Sequence, residues 1–296
     1  MTIMETVRVN AHAKINLTLD VVGAEGGYHA LDSLVATVAL RDRIAATRRR
    51  DGRVVLHMHG MGSERIPPAR NNAVLAAERF VAAFRTAGAD ISVYKKIPVG
   101  GGFGGSSADA AGVLRALAAL YGIADMGALK VIADGLGSDT GYLLTGGFAR
   151  MQGRGDRITP LAGLPELHIL AACPRRGVST PKCFQAFDEQ GVSYPPRTER
   201  VLAALAAGDT AGAAALFGND LFAAAAACNG EVAAALDALK SLRPLGAGMT
   251  GSGSACYAVF GTAEAADEAA RRFRGDFRTI RTRTVLPAQI GEDERR

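Results

Sequence analysis

Hydrophobic and polar positions alternate in short runs through the first part of the chain. The runs lie between residues 7 and 59 and read "VRVNA", "INLTLDVVG", "LDSLVATVAL" and "RVVLHMHG". A period of two places successive side chains on opposite faces of a β-strand. We therefore predict a mostly antiparallel sheet in this part of the chain.

Helical spacing replaces this alternation further along. In "NNAVLAAERFVAAFRTAG" the spacing predicts a helix that is capped by Asn71 or Asn72 and ends at Gly88. The run "ADISVYKKI" is typical of a strand, and "SADAAGVLRALAALYG" is typical of a helix. A further helix is expected at about residues 126–135.

The second half of the chain predicts a separate set of strands and helices. Strands return at "GGFARMQG" and "ELHILAACP", and residues 180–241 have the spacing of alanine-rich helices. The run "AGMTGSGSACYAVFG" predicts two strands joined by a glycine loop, before a last helix and a last strand. The change of pattern near residue 165 predicts two α+β halves, a domain of residues 1–165 and a domain of residues 166–296.

The overall composition indicates an ordinary globular protein. Of its 296 residues 48% are hydrophobic, and the formal net charge is +5. The basic residues cluster only at positions 48–50 and in "RRFRGDFRTIRTRT", and tryptophan is absent, so we expect no nucleic-acid partner. No apolar run is long enough to cross a bilayer, and the first residues do not resemble a signal peptide, so we expect no membrane partner. The four cysteines form no C-x-x-C pair, which favours free thiols in the cytoplasm and no zinc site.

A glycine-rich segment, "PVGGGFGGSSADAAG" at residues 98–112, runs into the second predicted helix. Glycines allow main-chain N–H groups to approach phosphate oxygens closely, and the start of a helix adds unpaired amides and a partial positive charge. Serine hydroxyls and either Lys95 or Lys96 can add further donors. The segment therefore predicts a polyphosphate site that consists of Pro98, Val99, Gly100, Gly101, Gly102, Phe103, Gly104, Gly105, Ser106, Ser107 and Ala108.

Other interpretations of the glycines remain open at this stage. Gly100-x-Gly102-x-x-Gly105 and Gly246-x-Gly248-x-x-Gly251 both match the dinucleotide-binding fingerprint. The first match leads into two helices and no second parallel strand, which argues against a Rossmann domain. The chain contains no Gly-Lys-Ser/Thr of a Walker A loop. A flexible turn is the structural alternative.

Several short motifs occur together in one order along the chain. The glycine-rich segment is preceded by Ala13-Lys14-Ile15-Asn16-Leu17 and Gly27-Tyr28-His29-x-Leu31, and is followed by "LGSD" at 136–139, "GVST" at 177–180 and Asn219-Asp220-Leu221. With these motifs the chain resembles the GHMP small-molecule kinases. Within that superfamily it is similar to kinases of a cytidine-diphosphate-linked (CDP-linked) methylerythritol in the non-mevalonate isoprenoid route. The resemblance covers residues from about 8 to 262.

The resemblance implies a fold, a reaction and a set of site residues. It implies a two-domain α+β fold with the active site in the cleft between the domains, and an ATP-dependent transfer of the γ-phosphoryl group to the 2-hydroxyl of the substrate. Mg²⁺ is expected to enter with ATP, with Ser107 as a candidate ligand. The implied site consists of catalytic Lys14 and Asp139, ATP-binding Asn72 with the loop of residues 98–108, and substrate-binding Asn16, Tyr28, His29, Asp139, Thr180 and Phe184.

Each of these residues also has an ordinary structural interpretation. Asp139 is a candidate general base for a hindered alcohol, or else an N-cap of the helix that follows it. Lys14 lies in an apolar strand, where a charged side chain needs a partner, and we expect that partner to be Asp139; a strand-edge lysine that reaches solvent is the alternative. Asn16 lies two residues further on and therefore on the same strand face.

Recognition of cytosine is assigned to three rings. Tyr28 and Phe184 are expected to sandwich the base, with His29 reading its edge and Thr180 donating a hydrogen bond nearby. Core packing or surface exposure is the alternative for each ring. Two departures from the family pattern are expected to matter: Gly141 stands where a proline would stiffen the turn that aims Asp139, and Val35 stands where an aromatic side chain would add to the wall around the base.

Two rival functions stay open on sequence alone. The first is a kinase of the same fold that acts on another small alcohol, such as a mevalonate-like acid or a sugar. The second is a nucleotide-binding module without catalytic activity. The presence of both Lys14 and Asp139 favours a catalyst over such a module.

Overall fold

A computed structural model describes residues 5–66, 71–290 and 294–295 of the chain. Both halves of the chain contain strands and helices, in agreement with the predicted α+β fold. The strands are β1 Thr6–Asn16, β2 Thr18–Glu25, β3 Tyr28–Arg48, β4 Val55–Gly60, β5 Ala89–Lys95, β6 Phe148–Gly153, β7 Arg157–Leu161, β8 His168–Cys173, β9 Gly218–Asn219, β10 Gly246–Met249, β11 Cys256–Phe260, β12 Arg278–Arg283 and β13 Glu294–Arg295. The helices are α1 Asn72–Phe84, α2 Gly105–Tyr121, α3 Met126–Asp134, α4 Thr140–Thr145, α5 Thr180–Gln190, α6 Thr198–Ala206, α7 Thr210–Ala215, α8 Phe222–Cys228, α9 Glu231–Lys240, α10 Ala263–Arg272 and α11 Pro287–Ile290.

The long strand β3 lies at the centre of the first sheet. It pairs antiparallel with β1, β2, β5 and β6. Strand β7 extends the sheet from β6, and β4 adds a parallel edge next to β5. The sheet is therefore mostly antiparallel, as the alternating pattern predicts.

Helix α2 packs closely on this sheet because its buried face is made of small residues. A Cβ on Gly112 would lie 2.5 Å from Ile44 Cδ1 and 2.9 Å from Ala11 Cβ, so a larger residue would push the helix away. The loop that precedes the helix is tied to the same sheet, since the Lys14 amide donates to the Phe103 carbonyl at 3.0 Å. The packing of α2 thus brings its first turn to the end of β1.

The second half of the chain forms its own antiparallel sheet in the order β10-β11-β8-β12. Helices α9 and α10 cover it, with Val232, Leu239 and Ala266 buried in a separate core. Within residues 5–66 and 71–290, no helix combines the length and the hydrophobicity that crossing a bilayer requires.

Several contacts join the two halves. Strand β9 pairs parallel with β2 at the edge of the first sheet. The buried Tyr257 hydroxyl donates to the Leu17 carbonyl at 3.0 Å, and Val38 forms a β-bridge with Thr284. These contacts join the second half of the chain to the first sheet at three separate points.

One predicted boundary is wrong. Helix α1 ends at Phe84, where Arg85 adopts the left-handed conformation with φ 51°, and does not extend to Gly88. A Cβ on Gly88 would collide with the Arg53 carbonyl, so this glycine allows two loops to pack closely and does not end the helix. The N-cap is Asn71, whose side chain accepts a hydrogen bond from the Ala73 amide at 2.9 Å.

Candidate active site

The glycine-rich segment forms a loop at residues 98–104 that leads into α2. Gly104 precedes the helix with a left-handed φ of 71° and, as a glycine, has no side chain that could cap the first amides. The first amides of an α-helix have no intrahelical partners, so they remain available to an anion. In the first turn Ser106 is exposed and Ser107 is half-buried, whereas Phe103 and Ala108 are buried and support the loop from the core side.

The second glycine motif packs directly on this loop. A Cβ on Gly102 would collide with the Thr250 carbonyl, and a Cβ on Gly251 would lie 2.9 Å from the Gly102 carbonyl oxygen. The Ala255 amide donates to the Gly101 carbonyl at 3.2 Å. These glycines let two main chains touch. Because the second motif joins antiparallel strands β10 and β11, it is not a dinucleotide-binding fingerprint.

Lys14 and Asn16 project from the end of β1 into one cavity. Lys14 Nζ donates to Asn16 Oδ1 at 2.6 Å and lies 3.4 Å from Asp139 Oδ2. The Lys14 side chain is 6% exposed and the Asp139 side chain 23% exposed. The predicted pairing of Lys14 with Asp139 is therefore present, and it satisfies a buried ammonium group that would otherwise lack a counter-charge.

Asp139 precedes α4, but its side chain does not cap that helix. The helix is held by Tyr142, whose buried hydroxyl donates to the Gly147 carbonyl at 2.5 Å and contacts Thr37 Oγ1 at 2.8 Å. Burial raises the pKa of Tyr142 and so keeps this hydroxyl protonated. Tyr142 thus anchors the helix that follows Asp139, at the point where Gly141 stands in place of the proline of the family pattern.

A cavity of about 250 Å³ lies between the loop, the end of β1 and the start of α5. Asn16 is fixed at its wall, since its Oδ1 accepts from the Gly251 amide at 3.0 Å and its Nδ2 donates to Ser33 Oγ at 2.8 Å. The cavity is lined by seven of the residues predicted from the sequence, namely Lys14, Asn16, Gly102, Gly104, Asp139, Thr180 and Phe184.

The rings assigned to base recognition contact other side chains of the protein. The His29 ring stacks on Phe184 with centroids 4.6 Å apart, and His29 Nε2 lies 2.7 Å from Asp188 Oδ1. The Tyr28 ring is covered by the Arg154 guanidinium, 3.7 Å from the ring centroid. Adjacent strand residues face opposite sides, which accounts for these different partners. The sandwich of a base between Tyr28 and Phe184 stays a prediction.

Other predicted residues lie around the cavity and the loop. Thr180 Oγ1 contacts Ser252 Oγ at 2.7 Å, which joins the start of α5 to the second glycine loop. Asn72 lies beside the first turn of α2, because a Cβ on Gly137 would lie 3.2 Å from Ser107 Oγ and 3.7 Å from Asn72 Nδ2. Pro98 is half-buried and Val99 is exposed at the tip of the loop.

The expectation for Val35 is wrong, and of the two lysines that could add a cation to the loop, Lys95 is buried and paired while Lys96 is exposed. Val35 is fully buried in the core of the first sheet and does not line the cavity, so an aromatic residue there would not form part of its wall. Lys95 is not a free cation for the loop, because its ammonium group is buried between Asp42 and Asp109 at 2.5 Å from each.

Several residues that line the cavity were not predicted from the sequence, and one of them, Arg154, is charged. Arg154, Gly155 and Ser138 line the cavity beside Asp139. A Cβ on Gly155 would lie 3.3 Å from Ser138 Cβ, so the turn between β6 and β7 packs on the residue before Asp139. The "GRGD" run at 153–156 signals a tight turn, and nothing in the local sequence shows which side of the sheet it reaches.

Comparison with known proteins finds matches over most of the chain. The chain matches the GHMP kinases N terminal domain over residues 71–142 and the GHMP kinases C terminal domain over residues 195–279. It is 36% identical over 288 residues to the 4-diphosphocytidyl-2-C-methyl-D-erythritol kinase of Moorella thermoacetica, covering 95% of this chain and 100% of that protein. It is 37% identical over 294 residues to the kinase of the same name from Streptomyces coelicolor, covering 97% of this chain and 98% of that protein.

Solved structures show the same relationship. A crystal structure of 4-(cytidine 5'-diphospho)-2C-methyl-D-erythritol kinase matches with a TM-score of 0.78 at 34% identity, over 94% of this chain and 99% of that chain. Homoserine kinase from Cytophaga hutchinsonii matches with a TM-score of 0.72 at 16% identity, over 100% of this chain and 99% of that chain. The latter likeness concerns the fold alone.

Proposed function

This chain belongs to the 4-diphosphocytidyl-2-C-methyl-D-erythritol kinase family of the GHMP kinases, and we propose that its cavity transfers the γ-phosphoryl group of ATP to the 2-hydroxyl of that CDP-linked alcohol. The observation that carries the proposal is the Lys14–Asp139 pair, which lies at one end of the phosphate-binding loop. A Cβ on Gly104 would lie 3.1 Å from Lys14 Cγ and 3.4 Å from Asp139 Oδ2. A carboxylate and an ammonium group thus lie beside the amides proposed to hold ATP.

The loop and the first turn of α2 bind the ATP phosphates in this proposal. Their amides and the Ser106 and Ser107 hydroxyls donate to phosphate oxygens, and the helix start favours negative charge. Asn72 lies on the same side of α2 and contacts the nucleotide end of ATP. Positioning and charge stabilisation supply most of the rate in phosphoryl transfer.

Asp139 acts as the general base. Its carboxylate accepts the proton of the 2-hydroxyl as the oxygen forms a bond to the γ-phosphorus, and the bond between that phosphorus and the bridging oxygen breaks to release ADP. Lys14 holds the carboxylate in place and stabilises its charge. Asn16 orients the Lys14 ammonium group, because its Oδ1 is itself fixed by the Gly251 amide.

Magnesium enters with ATP in this proposal. Among the residues that the structure describes, no three His, Cys, Asp or Glu side chains form a group that could cage a metal ion. Phosphate oxygens and water would supply most ligands, and the Ser107 hydroxyl would be the protein ligand, which suits the preference of Mg²⁺ for oxygen. Bound there, the ion would neutralise phosphate charge.

The substrate side of the cavity consists of Thr180 and Phe184 on α5, with Arg154 opposite. We place the base against Phe184, whose other face is covered by His29, with Tyr28 near the mouth of the cavity. The boundary between domains 1–165 and 166–296 is part of this proposal and is supported by the break between β7 and β8. A cytoplasmic location is also proposed, since all four cysteines are free.

A kinase assay with a panel of alcohols tests the proposal. With ATP and Mg²⁺, the purified chain is expected to phosphorylate the CDP-linked methylerythritol and to use free methylerythritol, mevalonate and homoserine poorly. Phosphate attached at the 2-hydroxyl identifies the product. Equal use of free and CDP-linked alcohol would refute the assigned substrate, and absence of ATP turnover with every alcohol would refute the assigned reaction.

A further inference from the structure

Both ends of the phosphate-binding loop meet at one buried charged group. The group consists of Lys95 at the end of β5, Asp42 on β3 and Asp109 on α2, with side chains that are 2%, 0% and 4% exposed. Lys95 Nζ donates to Asp42 Oδ2 and to Asp109 Oδ2, at 2.5 Å in each case. Charged side chains are almost never buried to this degree unless they are paired.

Asp42 fixes the segment that enters the loop. Its second oxygen, Oδ1, accepts from the main-chain amides of Lys96 at 2.5 Å and of Ile97 at 2.8 Å. These two residues lie directly before Pro98. The carboxylate therefore sets the direction in which the main chain leaves β5.

Asp109 and Lys95 fix the segment that leaves the loop. Asp109 lies in the second turn of α2; its Oδ2 accepts from Lys95, and its buried Oδ1 has no hydrogen-bond partner among the residues that the structure describes. A Cβ on Gly105 would lie 3.1 Å from Ile97 Cγ2 and 3.7 Å from Lys95 Nζ. Gly105, the first residue of the helix, thus packs against Ile97 and Lys95.

We propose that Lys95, Asp42 and Asp109 are positioning residues that hold the loop of residues 98–104 in the shape that binds ATP. The inference rests on the proposed function of that loop. Ordering a main chain costs conformational entropy, and a binding site that is already ordered does not lose that free energy when the ligand arrives. Without the Asp109 contact, ATP would have to order the loop itself and would bind more weakly.

Asp109→Leu tests the inference, because it removes the contact to α2 and leaves Lys95 paired with Asp42. The ATP dissociation constant and the KM for ATP are expected to rise about tenfold or more, with the KM for the CDP-linked alcohol within about twofold of wild type. Asp109→Asn keeps an oxygen acceptor for Lys95 and is expected to restore ATP affinity. Asp109→Ala is made in parallel, because alanine suits a helix and keeps the test open if leucine prevents folding.

Leu117→Ala is the matched control, since Leu117 is a fully buried residue of α2 far from the loop. It is expected to lower the melting temperature and to leave ATP affinity unchanged. Wild-type ATP affinity in folded Asp109→Leu or Asp109→Ala would overturn the inference, and so would an equal loss of affinity in Leu117→Ala. Gly104→Val shows whether the loop itself was wrongly assigned. If Gly104→Val also binds ATP normally, both the proposed phosphate site and the inference are wrong. If Gly104→Val binds ATP weakly and the Asp109 variants bind it normally, only the inference is wrong.

Discussion

The ammonium group of Lys14 lies 3.4 Å from the carboxylate of Asp139, although 124 residues separate them along the chain. One residue comes from the end of a strand and the other from the turn before a short helix. The pair lies in the same cavity as Gly104 of the loop. A carboxylate, an ammonium group and the glycine-rich main chain are thus brought together by elements that lie far apart in the sequence.

Asp139→Asn keeps the shape of the side chain and removes the proposed general base. Turnover is expected to fall by about two to four orders of magnitude, the usual contribution of general acid–base catalysis, with little change in substrate affinity. Steady-state kinetics with ATP and the CDP-linked alcohol measure this. The matched control is Asp134→Asn, an exposed carboxylate paired with Lys130 at 2.6 Å on the neighbouring helix, which should leave turnover unchanged. Near-normal turnover in Asp139→Asn would leave positioning alone as the source of the rate.

Gly104→Val places a branched side chain against Lys14 Cγ and Asp139 Oδ2 at the start of α2. ATP affinity is expected to fall far more than affinity for the alcohol, as isothermal titration can measure. Gly208→Val is the control, because Gly208 has a similar φ of 76° and a Cβ there would meet no atom within 4 Å. Both variants carry comparable backbone strain, so only Gly104→Val should affect ATP. An equal effect of the two would mean that strain alone is responsible.

The local parts of the site could be predicted from the sequence. The period of a strand places Lys14 and Asn16 on one face, and the structure joins them by a hydrogen bond of 2.6 Å. The glycine-rich segment also leads directly into a helix, as its pattern predicts. The pairing of Lys14 with Asp139 was expected because a charge in an apolar strand needs a partner, and the resemblance indicated which partner.

The non-local contacts could not be predicted. Lys95 was one of two candidate cations for the loop, and its burial was not expected, because its partners Asp42 and Asp109 lie 53 and 14 residues away on β3 and α2. Gly102 was assigned to phosphate contact alone, but its lack of a side chain also admits the Thr250 carbonyl from the other half of the chain. Such close approaches depend on how the halves pack, and the local pattern of residues does not encode that packing.

The buried charged group also predicts a pH dependence of stability. Burial raises the pKa of Asp109 to about 8. The Lys95 ammonium group acts to lower this pKa, and the Asp42 carboxylate acts to raise it. The pKa of an aspartate in the unfolded chain is about 4, so between about pH 4 and about pH 8 the folded state binds more protons than the unfolded state. The stability of the folded state therefore falls as pH rises through this range. The asparagine of Asp109→Asn does not titrate. The free energy of unfolding of this variant should therefore increase relative to that of wild type from about pH 4 to about pH 8, and the difference should stay constant above about pH 8. Urea unfolding across this range measures the difference, and parallel curves for the two proteins would contradict the raised pKa.

Phe184→Ala and His29→Ala decide whether the cavity recognises a base. The two rings stack at 4.6 Å, so removing either one disturbs the surface on which we place cytosine. Stacking on an aromatic ring contributes about 1–3 kcal/mol per base, so each variant should bind the CDP-linked alcohol about tenfold or more weakly. Affinity for ATP should stay within about twofold, because the loop of residues 98–104 is not touched.

Phe187→Ala is the matched control for these two variants. Phe187 meets the His29 ring edge-on at 6.1 Å and does not line the cavity, so its removal should lower stability without changing substrate choice. Free methylerythritol lacks the base and should be a poor substrate for all four proteins alike. If Phe184→Ala keeps the preference of wild type for the CDP-linked form, the base lies elsewhere. If Phe187→Ala loses that preference as strongly as Phe184→Ala does, the effect comes from a loosened α5 and not from a lost stacking surface.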